Sequence, residues 1–367
     1  MDTKDQADFS SPETFLPDNA ALPAIPELGD TFQGSTGIPM PNEGEPPSIS
    51  PTPLSESLRR LRRDKRAMSS IVIIVIFIVV ALFGPFIYQH IGPVYVSHVD
   101  GQSYGPEVYH TFYHEELDRQ NELPSSQYWL GTDDIGRDIL ARLMQGILVS
   151  LGVAFVVEVV DVVLGVSIGV LAGFHGGWID QSLARFTDLM FAFPGLLFVI
   201  LLTGIFGSSA DDIFGKIPIL GPNGNARLIL VSMALAFTIW PLMARYVRGQ
   251  TLQIREQQFT EAARTVGTSD IRIILRHIVP NLLSIVIVAA TLDISATIIA
   301  EAGISLLGLG VQPPGSSLGL MISSASQYVG IYNWEILVPS VTLVIIVLAF
   351  SFIGDGLRDA FDPRSKD

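Results

Sequence analysis

Apolar residues in this chain are gathered into long runs with few or no charges, separated by short polar stretches. The clearest run is "MSSIVIIVIFIVVALFGPFIY" at 68–88, and others lie near 146–173, 189–207, 228–247, 282–302 and 336–354. The last is 19 uncharged residues between Glu335 and Asp355. A helix of about 20 residues covers roughly 30 Å, the thickness of the hydrocarbon layer. Only a helix or a closed barrel satisfies its own backbone hydrogen bonds in lipid. The pattern therefore predicts an all-α integral membrane protein with six transmembrane helices.

The polar stretches orient these crossings. The basic run "RRLRRDKR" at 59–66 precedes the first span. Alternation then puts 174–188, 245–281 and 355–367 on the same side. These stretches hold sixteen Lys and Arg residues, against five on the other side, leaving out Lys4. Because basic residues are retained on the cytoplasmic face, both termini are expected in the cytoplasm.

Composition adjusts this picture in three places. The net charge of −14 is concentrated at one end: residues 1–55 carry nine acids, one lysine and ten prolines, without apolar periodicity. That composition predicts a disordered, acidic, Pro-rich tail, and no conventional signal peptide is visible in it. The lack of cysteine removes disulfides and thiolate metal sites. No GxxxxGK[ST] loop exists either, since Gly215-Lys216 is followed by Ile217-Pro218, and no nucleophile is paired with a base. The chain is expected to be non-catalytic, without cofactor or metal, and nothing in it points to nucleic acid.

Residues 89–130 form an expected extracytoplasmic insertion after the basic segment and first helix, 56–88. Its histidines, 90, 98, 110 and 114, lack compact ligand spacing and are expected to be solvated. "GTDDIGRDILARLMQG" at 131–146 follows as a turn and an amphipathic helix, with Asp133 or Asp134 as cap and Ile139, Leu140 and Leu143 as the apolar face. Within the expected helical core, 131–354, a cytoplasmic loop spans 248–281. In it, Phe259, Ala262, Ala263 and Val266 share one helical face. Gly267 suits a left-handed helix end, Thr268 or Ser269 a cap for the next helix, and Pro280 a bend or restart. Such a helix–turn–helix could be a simple connector at the headgroups or a knob for another protein, with Glu261 and Arg264 as polar contacts.

The wording of these stretches resembles a known family. "EAARTVGTSDIRIILRHIVPN" at 261–281 is similar to the Glu-Ala-Ala loop of ABC-importer permeases. The order of "GTDDIGRD", "AGFHGGWID", "RFTDLMFAFPGLL", "EAGISLLGLGVQPPGSSLG" and "GDGLRDAFDPR" resembles the second, C-type permease of dipeptide, oligopeptide and nickel uptake systems. The resemblance runs from about residue 55 to 365 and implies the type I importer permease fold. It implies that Phe259, Glu261, Ala262, Ala263, Arg264 and Gly267 couple to a partner ATPase. It also implies a sister permease, two cytoplasmic ATPase subunits that bind ATP and Mg, and an external binding protein delivering dipeptides or oligopeptides. The chain departs from the family at Tyr128–Trp129, where His–Pro is usual before "LGTD", and at Ser351, where Asn is common. Import of nickel or another small solute by the same architecture, or an ion-coupled secondary carrier, are the alternatives.

Three acids interrupt the spans: Glu158 and Asp161 on one face of the second, and Asp293 in the fifth. An ionised carboxylate facing lipid at mid-membrane costs roughly 2.5–3.5 kcal/mol or more, so all three are expected to face protein or a water-filled path, or to be protonated. They are candidates for the translocation path, or for polar contacts with neighbouring helices. Gly165, Gly169 and Gly173 form a small-residue stripe suited to close packing. Pro194, Pro241 and Pro339 are expected kinks. "LGLGVQPPGSSLG" at 307–319 reads as an external turn-rich stretch that ends the fifth helix or contacts the binding protein.

Overall fold

The computed structural model describes residues 53–91, 98–99, 102–103, 110–214 and 226–361. The expected tail lies outside the described residues up to residue 52, as does most of 92–109. Residues 53–55 already belong to the first helix, α1 (Pro53–Leu61). A turn follows in which the Asp64 carboxylate accepts the N–H groups of Arg66 at 2.8 Å and Ala67 at 3.4 Å, starting α2 (Lys65–Ile91).

The remaining long helices are α3 (Ile139–His175), α4 (Gly177–Phe191), α5 (Gly195–Phe214), α6 (Ala226–Arg255), α9 (Val279–Leu306) and α11 (Asn333–Phe361). Shorter ones are α7 (Gln258–Thr265), α8 (Asp270–Ile273) and α10 (Leu318–Ala325). The only strands among the described residues are a two-residue antiparallel pair, His98–Val99 with Gln102–Ser103. Among the described residues five helices are long and apolar enough to cross a membrane singly, and a bent helix pair reaches the same length and apolarity when its two halves are taken together. That pair corrects the continuous 189–207 span: α4 and α5 meet at 71° across Ala192–Pro194. Pro194 has no N–H to continue a helix and disfavours helical backbone before it, so a break replaces the expected kink. Pro241 and Pro339 lie inside α6 and α11.

α3 and α6 form the tightest pair and are the most buried of the spans, whereas α2 and α11 lie outermost. The glycine stripe explains the closeness. A Cβ on Gly165 would lie 2.5 Å from Cγ of Met243, one on Gly169 2.6 Å from the Ala244 carbonyl oxygen, and one on Gly173 2.8 Å from that of Arg248. Three successive turns of α3 thus rest on the α6 backbone. α9 also packs on α3, and with α10 and α11 it helps fill a core of Ile139, Ile147, Ile298, Leu318 and Ile346. Val72, Val75, Ile76, Phe83 and Phe86 of α2 remain exposed on the outside, as a lipid-facing surface requires.

The 131–146 reading needs correction. No separate amphipathic helix exists there. α3 starts at Ile139 and continues straight into the span, capped by Asp138, not by Asp133 or Asp134. The Asp138 carboxylate accepts from Leu140 N at 2.8 Å and Ala141 N at 3.2 Å. Ile139 and Leu143 lie in the core, not at a membrane boundary. Asp133 instead accepts the Arg137 backbone N–H at 2.9 Å and its guanidinium at 2.8 Å. Its other neighbour is the buried Arg142, 3.4 Å away.

His110 is not solvated: it is 3% exposed, and its Nδ1 lies 2.8 Å from the second Asp138 oxygen. Tyr128 is buried beside it and donates to Glu116 at 3.1 Å. Burial, followed by the Glu116 charge, pushes the Tyr128 phenol up. Residues 110–138 therefore form a packed cap on the bundle. Spacing along the chain cannot reveal a contact made 28 residues away.

The 307–319 stretch is also more deeply engaged than expected. Ser316, Ser317 and Leu318 are fully buried. Ser317 caps α10, accepting from Leu320 N at 3.2 Å. A helix thus follows at once and packs between α9 and α11.

Candidate functional site

The segment after α6 carries the residues expected to meet another subunit. The expected loop at 248–281 starts later than its sequence suggests, because α6 stays helical to Arg255. Two arginines hold that extension. Arg248 makes a bidentate pair with Asp180 of α4, Nη2 lying 2.8 Å from Oδ2, and Arg255 donates to the carbonyls of Gly173 at 3.3 Å and Phe174 at 3.2 Å. The last carbonyls of α3 have no partner within their own helix, so a guanidinium there caps them.

α7 is mounted on this base by few atoms. Thr260 is fully buried, its hydroxyl donating to the Ile254 carbonyl at 3.0 Å. Ala263 packs against the cluster of Phe174, Ile254, Ile273 and Ile278. The Arg264 guanidinium lies 5.0 Å over the Phe174 ring. The rest of the helix faces outward: Phe259 is 38% exposed, Val266 is 84% exposed, and Glu261 and Ala262 are exposed too. Of the face expected from spacing, Phe259, Ala262 and Val266 are therefore exposed, whereas Ala263 is its inward edge. Arg264, expected as an outward polar contact, is exposed but turned back onto α3.

Gly267 ends α7 with φ of +81°. Its N–H donates to the Arg264 carbonyl at 2.9 Å, and the Thr268 N–H reaches back to Ala263 at 3.1 Å. This pair of bonds is the Schellman closure, which needs a left-handed residue at Gly267. Nothing lies within 4 Å of a Cβ built there, so the restriction comes from the backbone. Ser269 sits at the α8 cap position but its side chain makes no cap bond. Pro280 falls in the first turn of α9, where the α-helix restarts without interrupting the span. A π-helical turn at Ile274–Ile278 precedes it, and Asp270–Leu306 runs on as one span. The wider turn relieves the contact that a proline ring makes with the preceding turn of an α-helix.

The acids in the spans form a second feature. Glu158 and Asp161 of α3 meet Asp293 of α9, with carboxylate oxygens all within 4.8 Å of one another. Glu158 is 7% exposed and Asp161 0%, while Asp293 is half-buried. The spacing of three put the first two on one face; only the packing of α9 brings the third to them. Sequence reading also passed over Glu301, fully buried on the same α3–α9 seam and bonded by Ser150 at 2.8 Å and Ser305 at 2.7 Å. A glutamate at the end of an uncharged run is the signal that could have found it.

The sequence matches two family descriptions. Residues 165–367 match the binding-protein-dependent transport system inner membrane component, and residues 52–97 the N-terminal TM domain of oligopeptide transport permease C. The chain is 34% identical over 332 residues to a dipeptide transport system permease protein of Alkalihalophilus pseudofirmus, covering 89% of this chain and 96% of that one. It is 36% identical over 315 residues to a glutathione transport system permease protein of Escherichia coli, covering 86% and 92% respectively. Among solved structures, an inward-facing form of the MetNI methionine ABC transporter aligns with a TM-score of 0.45 at 21% identity, covering 60% of this chain and 96% of that one.

Proposed function

The chain belongs to the binding-protein-dependent transport inner membrane components, as a permease, and from that premise we propose how it works and what it carries. It is a non-catalytic subunit of an ABC importer of the peptide class. Dipeptides or oligopeptides are its cargo, delivered by an extracytoplasmic binding protein and passed between this chain and a sister permease. Two cytoplasmic ATPase subunits, which bind the ATP and Mg, drive the cycle. Both termini and the 255–281 segment lie on the cytoplasmic side. The pathway runs beside α3 and α9, the helices carrying Glu158, Asp161 and Asp293.

One observation carries the coupling reading: α7 is almost wholly exposed yet fastened to the bundle at Thr260, Ala263 and Arg264. A connector floating at the headgroups needs no such mount. A lever does, because displacement of an exposed helix moves the bundle only if the helix cannot rotate on its base. Thr260, Ala263 and the Gly267 closure supply that attachment toward α6 and α9, while Arg255 and Arg264 tie α6 and α7 to α3. Phe259, Glu261, Ala262 and Val266 supply the outer contact surface, apolar with a polar flank. A partner that favours one position of α7 then shifts the balance between outward- and inward-open bundles.

The native chain has no cysteine, which gives a clean test. In the assembled complex, Val266→Cys labelled with a photoreactive maleimide is expected to crosslink to an ATPase subunit, with a yield that changes when ATP is trapped with vanadate. Crosslinking to lipid alone would refute the coupling reading. Uptake of labelled dipeptides and of nickel into proteoliposomes containing the full complex separates the cargo alternatives.

A further inference from the structure

At mid-length of α3 and α9, the fold leaves four carboxylate oxygens without a hydrogen-bond partner. Both oxygens of Glu158 and both of Asp161 lack one, although these side chains are only 7% and 0% exposed. Asp293 approaches from α9, so that all three carboxylates have oxygens within 4.8 Å of each other. No lysine or arginine pairs with any of them among the described residues.

A cluster of acids alone would say little, but two comparisons within the molecule set this one apart. Glu301 is also a fully buried carboxylate on the α3–α9 seam, two helical turns from Asp293, and there serine hydroxyls donate to both oxygens. The same interface that satisfies Glu301 offers nothing to Glu158 and Asp161. The second comparison concerns Thr297, which lies on the α9 face between Asp293 and Glu301. Threonine hydroxyls elsewhere in these helices donate to their own backbone: Thr203, Thr251, Thr291 and Thr342 each bond the carbonyl four residues earlier at 2.7–2.9 Å. The Thr297 hydroxyl makes no such bond and is fully buried without a partner. One turn of α9 thus carries both the Asp293 carboxylate and an unused, buried hydroxyl.

Buried carboxylates of this kind are stabilised by taking up a proton or by a positive partner, and three of them around one point favour a shared cation. The geometry points to a hard divalent metal cation of the Ca2+ or Mn2+ type, held between α3 and α9 by Glu158, Asp161 and Asp293, with Thr297 one turn away. The chemistry of the donor set fits. All donors are oxygens, which suit hard cations and not the softer metals that seek imidazole or thiolate. Oxygens 2.3–2.6 Å from a Ca2+ ion stand at most about 5 Å apart, in keeping with the spacing here. Bound there, the cation would pin α3 to α9 at the depth where transport must move helices.

The test uses the assembled transporter in lipid nanodiscs, stripped with chelator and kept free of nucleotide. Mn2+ binding is followed by loss of the aqueous Mn2+ resonance, with Ca2+ as competitor, and the melting temperature is measured with and without Ca2+. The expected result is one Ca2+-displaceable Mn2+ per copy of this chain and a Ca2+-dependent rise in melting temperature. The near-isosteric Glu158→Gln/Asp161→Asn variant should lose both, and Asp293→Asn should weaken binding at least tenfold. Equal Mn2+ binding by wild type and the double variant would overturn the assignment, as would a wild-type melting temperature indifferent to Ca2+. Absence of metal binding, together with a loss of uptake confined to peptides with a free amino terminus, would also overturn it and give the cluster to the substrate. None of these outcomes touches the coupling reading, which is probed by crosslinking from position 266.

Discussion

The guanidinium of Arg264 sits 5.0 Å from the centre of the Phe174 ring, so α7 is fastened to the last turn of α3 as well as to its neighbours in sequence. A cation–π contact at an exposed site contributes about 0.5–1 kcal/mol. Arg264→Ala is therefore expected to lower peptide uptake per ATP hydrolysed by about two- to fivefold. Paired ATPase and uptake measurements on proteoliposomes check it. Arg264→Lys should lose less than Arg264→Ala, since the charge over the ring is retained.

Substitutions at Gly267 should rank by their tolerance of positive φ, because a side chain there meets no neighbour. Left-handed backbone costs roughly 1–2 kcal/mol for most residues, more for β-branched ones and less for Asn. Gly267→Asn should keep most coupling, Gly267→Ala less, and Gly267→Val least. Insertion into the membrane should be unaffected in all three. A flat series in the ratio of uptake to ATP turnover would remove the closure from the mechanism.

Gly169 is expected to matter for assembly of the bundle and not for coupling as such. A Cβ there would fall 2.6 Å from a backbone oxygen of α6, which cannot move aside as a flexible side chain can. Gly169→Val should reduce folded yield severely, with overpacking costing about 1–3 kcal/mol or more. Gly152, where a Cβ meets nothing within 4 Å, is the control: Gly152→Ala should leave yield and melting temperature unchanged.

Asp138 carries two tasks, capping α3 and holding His110. Asp138→Asn retains a cap acceptor but loses the charge facing the histidine, whereas Asp138→Ala loses both. The cap alone contributes about 1 kcal/mol, and an orphaned buried histidine adds to the loss. The melting temperature of the purified complex should therefore fall further for Asp138→Ala than for Asp138→Asn.

Much of this was readable along the chain. Five of the six crossings follow from runs with few or no charges, since lipid leaves the backbone no option but helix. The glycine stripe was readable because positions four apart share a face. The Gly267 turn was readable because only left-handed backbone ends a helix that way. The α4–α5 break was half legible: Pro194 marked it, but a continuous apolar run hid its sharpness.

What the sequence determined, then, is everything set by local covalent geometry and by the medium: helix, span and turn. What only the tertiary structure decided is what those helices hold against each other. Asp293 joins Glu158 and Asp161, His110 finds Asp138, Arg264 finds Phe174, and Asp138 displaces Asp133 as the cap. Each depends on residues far apart in the chain meeting at distances of a few ångströms. Such contacts are fixed by how side-chain volumes pack across helices, a property of pairs of elements that no single stretch of sequence contains.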